Sequence, residues 1–270
     1  MEFKKFFIDA EKKYNISYFD LVYVIEKVLK LDKFEQLKKE NISLEDIDKV
    51  VEILEMYKEG KPLNKIFKEQ NFYGMDFYIN ENVLAPRSET EILVEKAINI
   101  IKDNKVRVLD ICTGSGCIGL SIKSNCPNAI VTMSDISDKA LEVAKFNKEK
   151  FLLDVDIIKS DLFNDIPKQK FDLIVSNPPY IKSEDKENIS KEVLLYDPSI
   201  ALYGGEDGLK FYREILKSSK EYLDIDGIII FEIGYDISRE SVILAQSYGY
   251  EVEVIKDYNE IDRILILRRN

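Results

Sequence analysis

From residue 88 to the end of the chain, short apolar runs alternate with segments of helical periodicity, and this alternation leaves few folds open. Runs at 106–111, 129–135, 155–159, 171–176, 227–233, 249–256 and 262–268 have strand length. Helical spacing falls near 88–103, 116–124, 137–151, 208–223 and 237–247. Strand–helix alternation predicts a parallel sheet joined by right-handed crossovers. Leu173, Ile174 and Val175 are consecutive rather than alternating with polar residues, as expected of a strand covered on both faces. Only Asp257 to Ile261 separate the last two runs, too few for a crossover, so these two should form an antiparallel hairpin. The fold class is α/β, with a seven-stranded, mostly parallel sheet.

The first part of the chain reads differently. Phe19, Val22, Tyr23, Ile25, Val28 and Leu29 recur at helical spacing, as do Ile47, Val50, Val51, Leu54 and Tyr57. Ser43 is placed to open the second of these helices. Residues 1–70 are expected to form a small helical domain. Residues 71–86, with aromatics around Gly74, should form a hairpin linker, and 87–270 the sheet domain. Ser88 and Glu91 are spaced as a capping box for the first helix of that domain.

Composition excludes several chemistries. The chain has no His, which removes Ser-His and Cys-His catalysis. Cys112, Cys117 and Cys126 form no C-x-x-C pair, so no metal site is expected. The net charge is −11, and residues 71–270 carry −10 of it, a surface that repels a phosphate backbone. No stable nucleic-acid partner and no membrane partner are expected. With no long apolar stretch and no signal-peptide core at Met1–Lys5, the expectation is a soluble, cytoplasmic monomer.

Two loops carry candidate chemistry. The strand at 106–111 runs into Cys112-Thr113-Gly114-Ser115-Gly116, and Gly114, Gly116 and Gly119 fit the spacing G-x-G-x-x-G. Asp135 ends the next strand, where it can accept from ribose hydroxyls. NAD and S-adenosylmethionine both need such glycines and such an acid. They differ in charge, since one brings an anionic pyrophosphate and the other a sulfonium. Asp110, Asp135 and Asp161 around one pocket suit the cation better. Asp161 is placed to take an adenine amino group, with Leu162 and Phe163 at the ring edge. Asp110 has two readings, ligand contact or ordering of the turn.

The second loop is Asn177-Pro178-Pro179-Tyr180, at the end of the run Phe171–Ser176. Two prolines stop the strand and fix their own φ angles, and the first holds Asn177 extended. The loop offers one amide, free carbonyls and an aromatic ring at the carboxyl end of a strand, where open α/β sheets bind ligands. A planar NH2 group can donate both hydrogens there and lie against Tyr180. Methylation of an amide or exocyclic amine fits that geometry.

These motifs resemble the HemK-type protein-(glutamine-N5) methyltransferases. The resemblance covers nearly the whole chain. Besides the two loops it includes Gly60-Lys61-Pro62, Phe72-Tyr73-Gly74, Pro86-Arg87-Ser88-Glu89-Thr90-Glu91, Asp197-Pro198-Ser199-Ile200-Ala201-Leu202, Gly204-Gly205-Glu206-Asp207-Gly208-Leu209 and Phe231-Glu232-Ile233-Gly234. It implies a class I, Rossmann-like methyltransferase domain behind a helical substrate-recognition domain. The implied methyl donor is S-adenosylmethionine, leaving S-adenosylhomocysteine. The implied substrate is the glutamine of the Gly-Gly-Gln loop of peptide chain release factors. Asn177, Pro178 and Tyr180 are the expected catalytic residues, with Pro179 completing the substrate loop. Asp110, Cys112, Thr113, Gly114, Ser115, Gly116, Asp135, Asp161, Leu162 and Asn177 are the expected cofactor contacts. Cys112 stands where that family usually has glycine, and Asp197 where it usually has glutamate. A nucleic-acid amino methyltransferase and a non-catalytic cofactor-binding scaffold remain as alternatives.

Overall fold

The computed structural model describes residues 1–188 and 191–269. The chain divides into two compact units, Met1–Lys68 and Glu69–Asn270.

The first unit holds α1 (Phe3–Tyr14), α2 (Tyr18–Leu29), α3 (Lys33–Lys38), α4 (Leu44–Lys58) and α5 (Leu63–Phe67). Side chains set the helix starts. Ser17 accepts from the Asp20 amide, Asp32 and Glu35 form a capping box, and Ser43 accepts from the Asp46 amide. Its core is Leu21, Val24, Ile25, Val50 and Leu54, all fully buried. Phe19 belongs to the expected apolar stripe but is 74% exposed. The buried face of α2 is therefore rotated toward Leu21 and Val24.

The second unit opens with an antiparallel hairpin, β1 (Glu69–Phe72) and β2 (Met75–Tyr78). Phe72 and Phe77 place this hairpin in the core of the larger unit. There follow α6 (Thr90–Ile101), β3 (Arg107–Ile111), α7 (Cys117–Asn125), β4 (Ile130–Asp135), α8 (Asp138–Phe151), β5 (Asp156–Lys159) and β6 (Phe171–Ser176). Then come α9 (Lys191–Tyr196), α10 (Lys210–Tyr222), β7 (Leu223–Glu232), α11 (Ser238–Ser247), β8 (Tyr250–Lys256) and β9 (Asp262–Arg269). The seven-stranded sheet has the order β5-β4-β3-β6-β7-β9-β8. All neighbours run parallel except β7–β9 and β8–β9. The expected terminal hairpin is present, with β9 inserted between β7 and β8. Its turn is tied by Asp257, whose Oδ1 accepts from the amides of Asn259 and Ile261.

Both sheet faces are covered, which accounts for the continuous apolar runs. Val108, Met133, Val175 and Ile230 pack on one side with α6 and α7. Leu109, Ile174, Ile229 and Phe231 pack on the other, with Tyr212, Ile215 and Leu216 of α10. Chain order reverses between β3 and β6, whose carboxyl ends therefore flank a crevice open to ligands.

The entrance to α6 departs from expectation. Ser88 does not cap it and no capping box forms; the Ser88 hydroxyl donates to Glu89 instead. The first amides are met by tight backbone bonds, Thr90 to Arg87 and Glu91 to Ser88. The Glu91 carboxylate is drawn to the Tyr73 amide of the hairpin, at 2.8 Å.

Candidate active site

A cleft of about 340 Å³ opens at the carboxyl ends of β3, β4 and β6. Its wall holds Cys112, Thr113, Gly114, Ser115, Asp135, Asp161, Leu162, Asn177 and Pro179 of the residues expected from sequence. Asp110, Gly116, Pro178 and Tyr180 lie next to the wall without lining it.

The β3 turn is built from behind. Asp110 is fully buried, and its Oδ2 accepts from the Thr113 hydroxyl at 2.5 Å and the Gly119 amide at 3.0 Å. Burial, with only those two donors opposing it, pushes its carboxyl up to about 7. Of the two readings for Asp110, this geometry supplies turn ordering. Gly116 begins α7 with φ +82. Gly119 lets that helix lie on β4, since a Cβ there would come within 2.7 Å of Met133.

Two wall residues with side chains sit in the left-handed region, Cys112 at φ +61 and Leu162 at φ +52. Backbone strain of roughly 1–3 kcal/mol each is characteristic of ligand-binding loops. The angle at Cys112 shows why glycine suits that position. Burial raises the Cys112 thiol, so it remains protonated and serves as wall.

Asp135 accepts from the Gly114 amide at 2.9 Å through Oδ2 and from the Ser137 amide at 3.0 Å through Oδ1. Each oxygen keeps a lone pair for a ligand hydroxyl. Phe163 does not reach the cleft. Its ring stacks on Tyr222 at 4.6 Å within the core, which corrects the expectation of a ring-edge contact.

Asn147 of α8, fully buried, clasps the hairpin to the turn after β3. It accepts from the Tyr78 amide at 2.8 Å and donates to the Tyr78 and Ser115 carbonyls at 3.0 and 2.9 Å. Asn147→Leu would leave three backbone groups short of a partner, at about 1–3 kcal/mol for each that stays buried. Urea unfolding should show a loss of at least about 3 kcal/mol on that basis, and an unchanged midpoint would refute the clasp.

At the second loop, Asn177 Nδ2 faces the Thr90 hydroxyl at 3.4 Å, and that hydroxyl donates to Glu232 Oε2 at 2.5 Å. Tyr180 lies against Gly234, where a Cβ would approach its ring to 2.8 Å. Burial pushes its phenol up to about 12. Arg87, from the cleft wall, pairs with Asp197 at 2.9 Å, which gives the shorter acid a partner. Thr90 and Glu232 were not among the expected site residues. Both lie in segments that carry the family resemblance, Pro86–Glu91 and Phe231–Gly234, but no role was assigned to either.

The sheet order, the glycine turn and a cleft between β3 and β6 define a class I, Rossmann-like methyltransferase domain. Residues 88–206 match the family described as Methyltransferase small domain. The fold is shared with a methyltransferase from Pyrococcus furiosus, at TM-score 0.56 and 19% identity over 77% of this chain and 94% of that one. Sequence is more specific. A release factor glutamine methyltransferase from Thermodesulfovibrio yellowstonii is 37% identical over 265 residues, 96% of this chain and 95% of that protein. Another from Fusobacterium nucleatum is 38% identical over 257 residues, 93% of this chain and 73% of that protein. The chain belongs to the release factor glutamine methyltransferase family.

Proposed function

We propose that this chain methylates the side-chain amide nitrogen (N5) of the glutamine in the Gly-Gly-Gln loop of peptide chain release factors, using S-adenosylmethionine. The observation that carries this reading is the Asn177 amide. Its nitrogen faces Thr90 inside the protein, so its oxygen is the acceptor left for a ligand at the cleft.

The residues fit the donor. Gly114 has open space where a Cβ would stand, and Asp135 retains acceptor capacity on both oxygens for the ribose. Asp161 and Leu162 would hold the adenine, and Cys112 to Ser115 would pass under the methionine portion. Bound there, S-adenosylmethionine supplies a methyl group activated by its sulfonium.

The acceptor presents the greater difficulty. A glutamine amide nitrogen is a poor nucleophile because its lone pair is delocalised into the carbonyl. Asn177 Oδ1 and the Pro178 carbonyl each accept one of its hydrogens and hold the nitrogen in line. As that nitrogen gains a fourth substituent it becomes positive, and both hydrogen bonds strengthen. Such positioning is worth up to roughly 7–11 kcal/mol where near-attack geometry is reached. The methylated nitrogen then loses one proton to water, so no base of the protein is needed. Tyr180, held over Gly234 and kept neutral, closes the side of the loop.

The test is incubation with S-adenosylmethionine and a purified release factor, followed by peptide mass spectrometry. One added methyl on the Gly-Gly-Gln glutamine is expected. An unmodified release factor together with methylated DNA or RNA would overturn the reading.

A further inference from the structure

The buried pair behind Asn177 has a direction. Glu232 ends β7 beside the end of β6, where Ser176 pairs with Phe231, so the next residue of each strand meets its neighbour. Thr90 arrives from the start of α6 and its hydroxyl touches both, beside a direct contact of the Asn177 side chain with Glu232. A hydroxyl has a single hydrogen, so what it donates to determines what it can accept from. With Glu232 ionised, the Thr90 hydrogen points to the carboxylate and its lone pair faces Asn177, which must present NH2. With Glu232 protonated, the relay can reverse. The acid donates to Thr90, Thr90 donates onward, and Asn177 turns its oxygen inward. Turning an amide over exchanges O and N at little steric cost, so hydrogen bonds decide its orientation.

We propose that Thr90 and Glu232 act as positioning residues that fix which way the Asn177 amide points, so that its oxygen meets the amide hydrogens of the substrate. This inference rests on the methyl-transfer reading above. The reversed amide would set NH2 against NH2, and the substrate nitrogen would lose an acceptor when it becomes positive.

The surroundings of Glu232 place the reversal near neutrality. Burial, opposed by the Thr90 hydroxyl, Arg263 of β9 and the Asn177 side chain, pushes the carboxyl up to about 7, with Glu89 before α6 adding to the rise. Tyr180 after β6, Cys117 of α7 and Tyr212 of α10 also face it, and burial keeps all three protonated. The Tyr212 hydroxyl is committed to the Glu232 backbone carbonyl at 2.8 Å. Beside these three protonated groups, Glu232 is poised to change its charge near pH 7. A group needed as its anion gives a rate that rises with pH through its pKa.

The experiment measures initial rates on release factor with saturating S-adenosylmethionine between roughly pH 6 and 8. The wild-type kcat should rise across this range. In Glu232→Gln the new amide offers Thr90 either an acceptor or a donor, so the rate should fall several-fold and its dependence on pH should flatten, leaving the contribution of Asp110, whose carboxyl is likewise pushed up to about 7. Thr90→Val should lower kcat on the order of 100-fold with little change in the KM for S-adenosylmethionine, and Thr90→Ser should recover turnover. A neutral limb as steep in Glu232→Gln as in the wild type, or full activity in Thr90→Val, would overturn the inference. If circular dichroism shows Thr90→Val unfolded, Glu232→Gln and Thr90→Ser decide. A wild-type chain inactive at every pH would instead overturn the functional reading, and this inference with it.

Discussion

Asn177→Ala is expected to slow methyl transfer by roughly 10²–10³-fold while the protein still binds S-adenosylmethionine. Asn177 is held between the end of β6 and Pro178, so its backbone stays where it is when the amide is removed. What disappears is one acceptor, whose bond to the substrate nitrogen strengthens as positive charge develops. Losing such a bond lowers kcat more than it raises KM. The binding surface proposed for the donor is largely separate, on the cleft wall formed by the β3 turn, by Asp135 at the end of β4 and by Asp161 after β5. Calorimetric titration with S-adenosylhomocysteine, set beside turnover on release factor, distinguishes the two effects. Equal losses of affinity and rate would place Asn177 with the donor and leave the acceptor amide to other groups.

The features legible in sequence were those that depend on near neighbours in the chain. The turn from Cys112 to Gly119 has its glycines where the backbone needs φ +55 and +82 and where α7 must lie close to β4. Asp135 and Asn177 stand at the ends of their strands because a run of apolar residues stops there. The pairing of the site's supports was not legible, because it joins distant parts of the chain. Thr90 and Glu232 are 142 residues apart, and Arg87 and Asp197 are 110 apart. Each pair meets only once the sheet has its order, and nothing in local periodicity encodes that order. Ser88 failed as a cap for a related reason. Glu91, which would have completed the box, gains more from the Tyr73 amide that the hairpin brings to it. Between β6 and α10, short 3₁₀ turns at Ser183–Asn188 and Ser199–Ala201 have no hydrophobic period to reveal them.

The segment from Gly204 to Gly208 gives the most severe expected effect on the loop. Its backbone lies directly on the Asn177–Tyr180 loop and the residue after it, with the Ile181 amide donating to the Leu202 carbonyl and the Gly204 amide donating back to the Ile181 carbonyl, both at 2.9 Å. A Cβ on Gly204 would come within 2.6 Å of the Pro179 carbonyl, 2.7 Å of the Gly208 carbonyl and 2.8 Å of the Tyr180 Cα. All three are backbone atoms, so no rotamer relieves the contact. The two proline rings resist local bending. Gly204→Ala should therefore push the whole Pro179–Tyr180 stretch away, at about 1–3 kcal/mol of stability. A displacement approaching 1 Å at a positioning loop costs on the order of 100-fold in rate. Gly205→Ala is the control, because the atoms nearest its Cβ would belong to Lys210, with Lys210 Cβ at 3.2 Å, and none to the Pro179–Tyr180 backbone. That variant carries the strain of a residue at φ +90, without a collision with the loop. If packing against Pro179 and Tyr180 holds Asn177 in place, Gly204→Ala loses turnover far beyond its loss of stability, whereas Gly205→Ala loses stability with most of its turnover intact. Similar rates for the two variants would mean that the loop is held by its prolines alone.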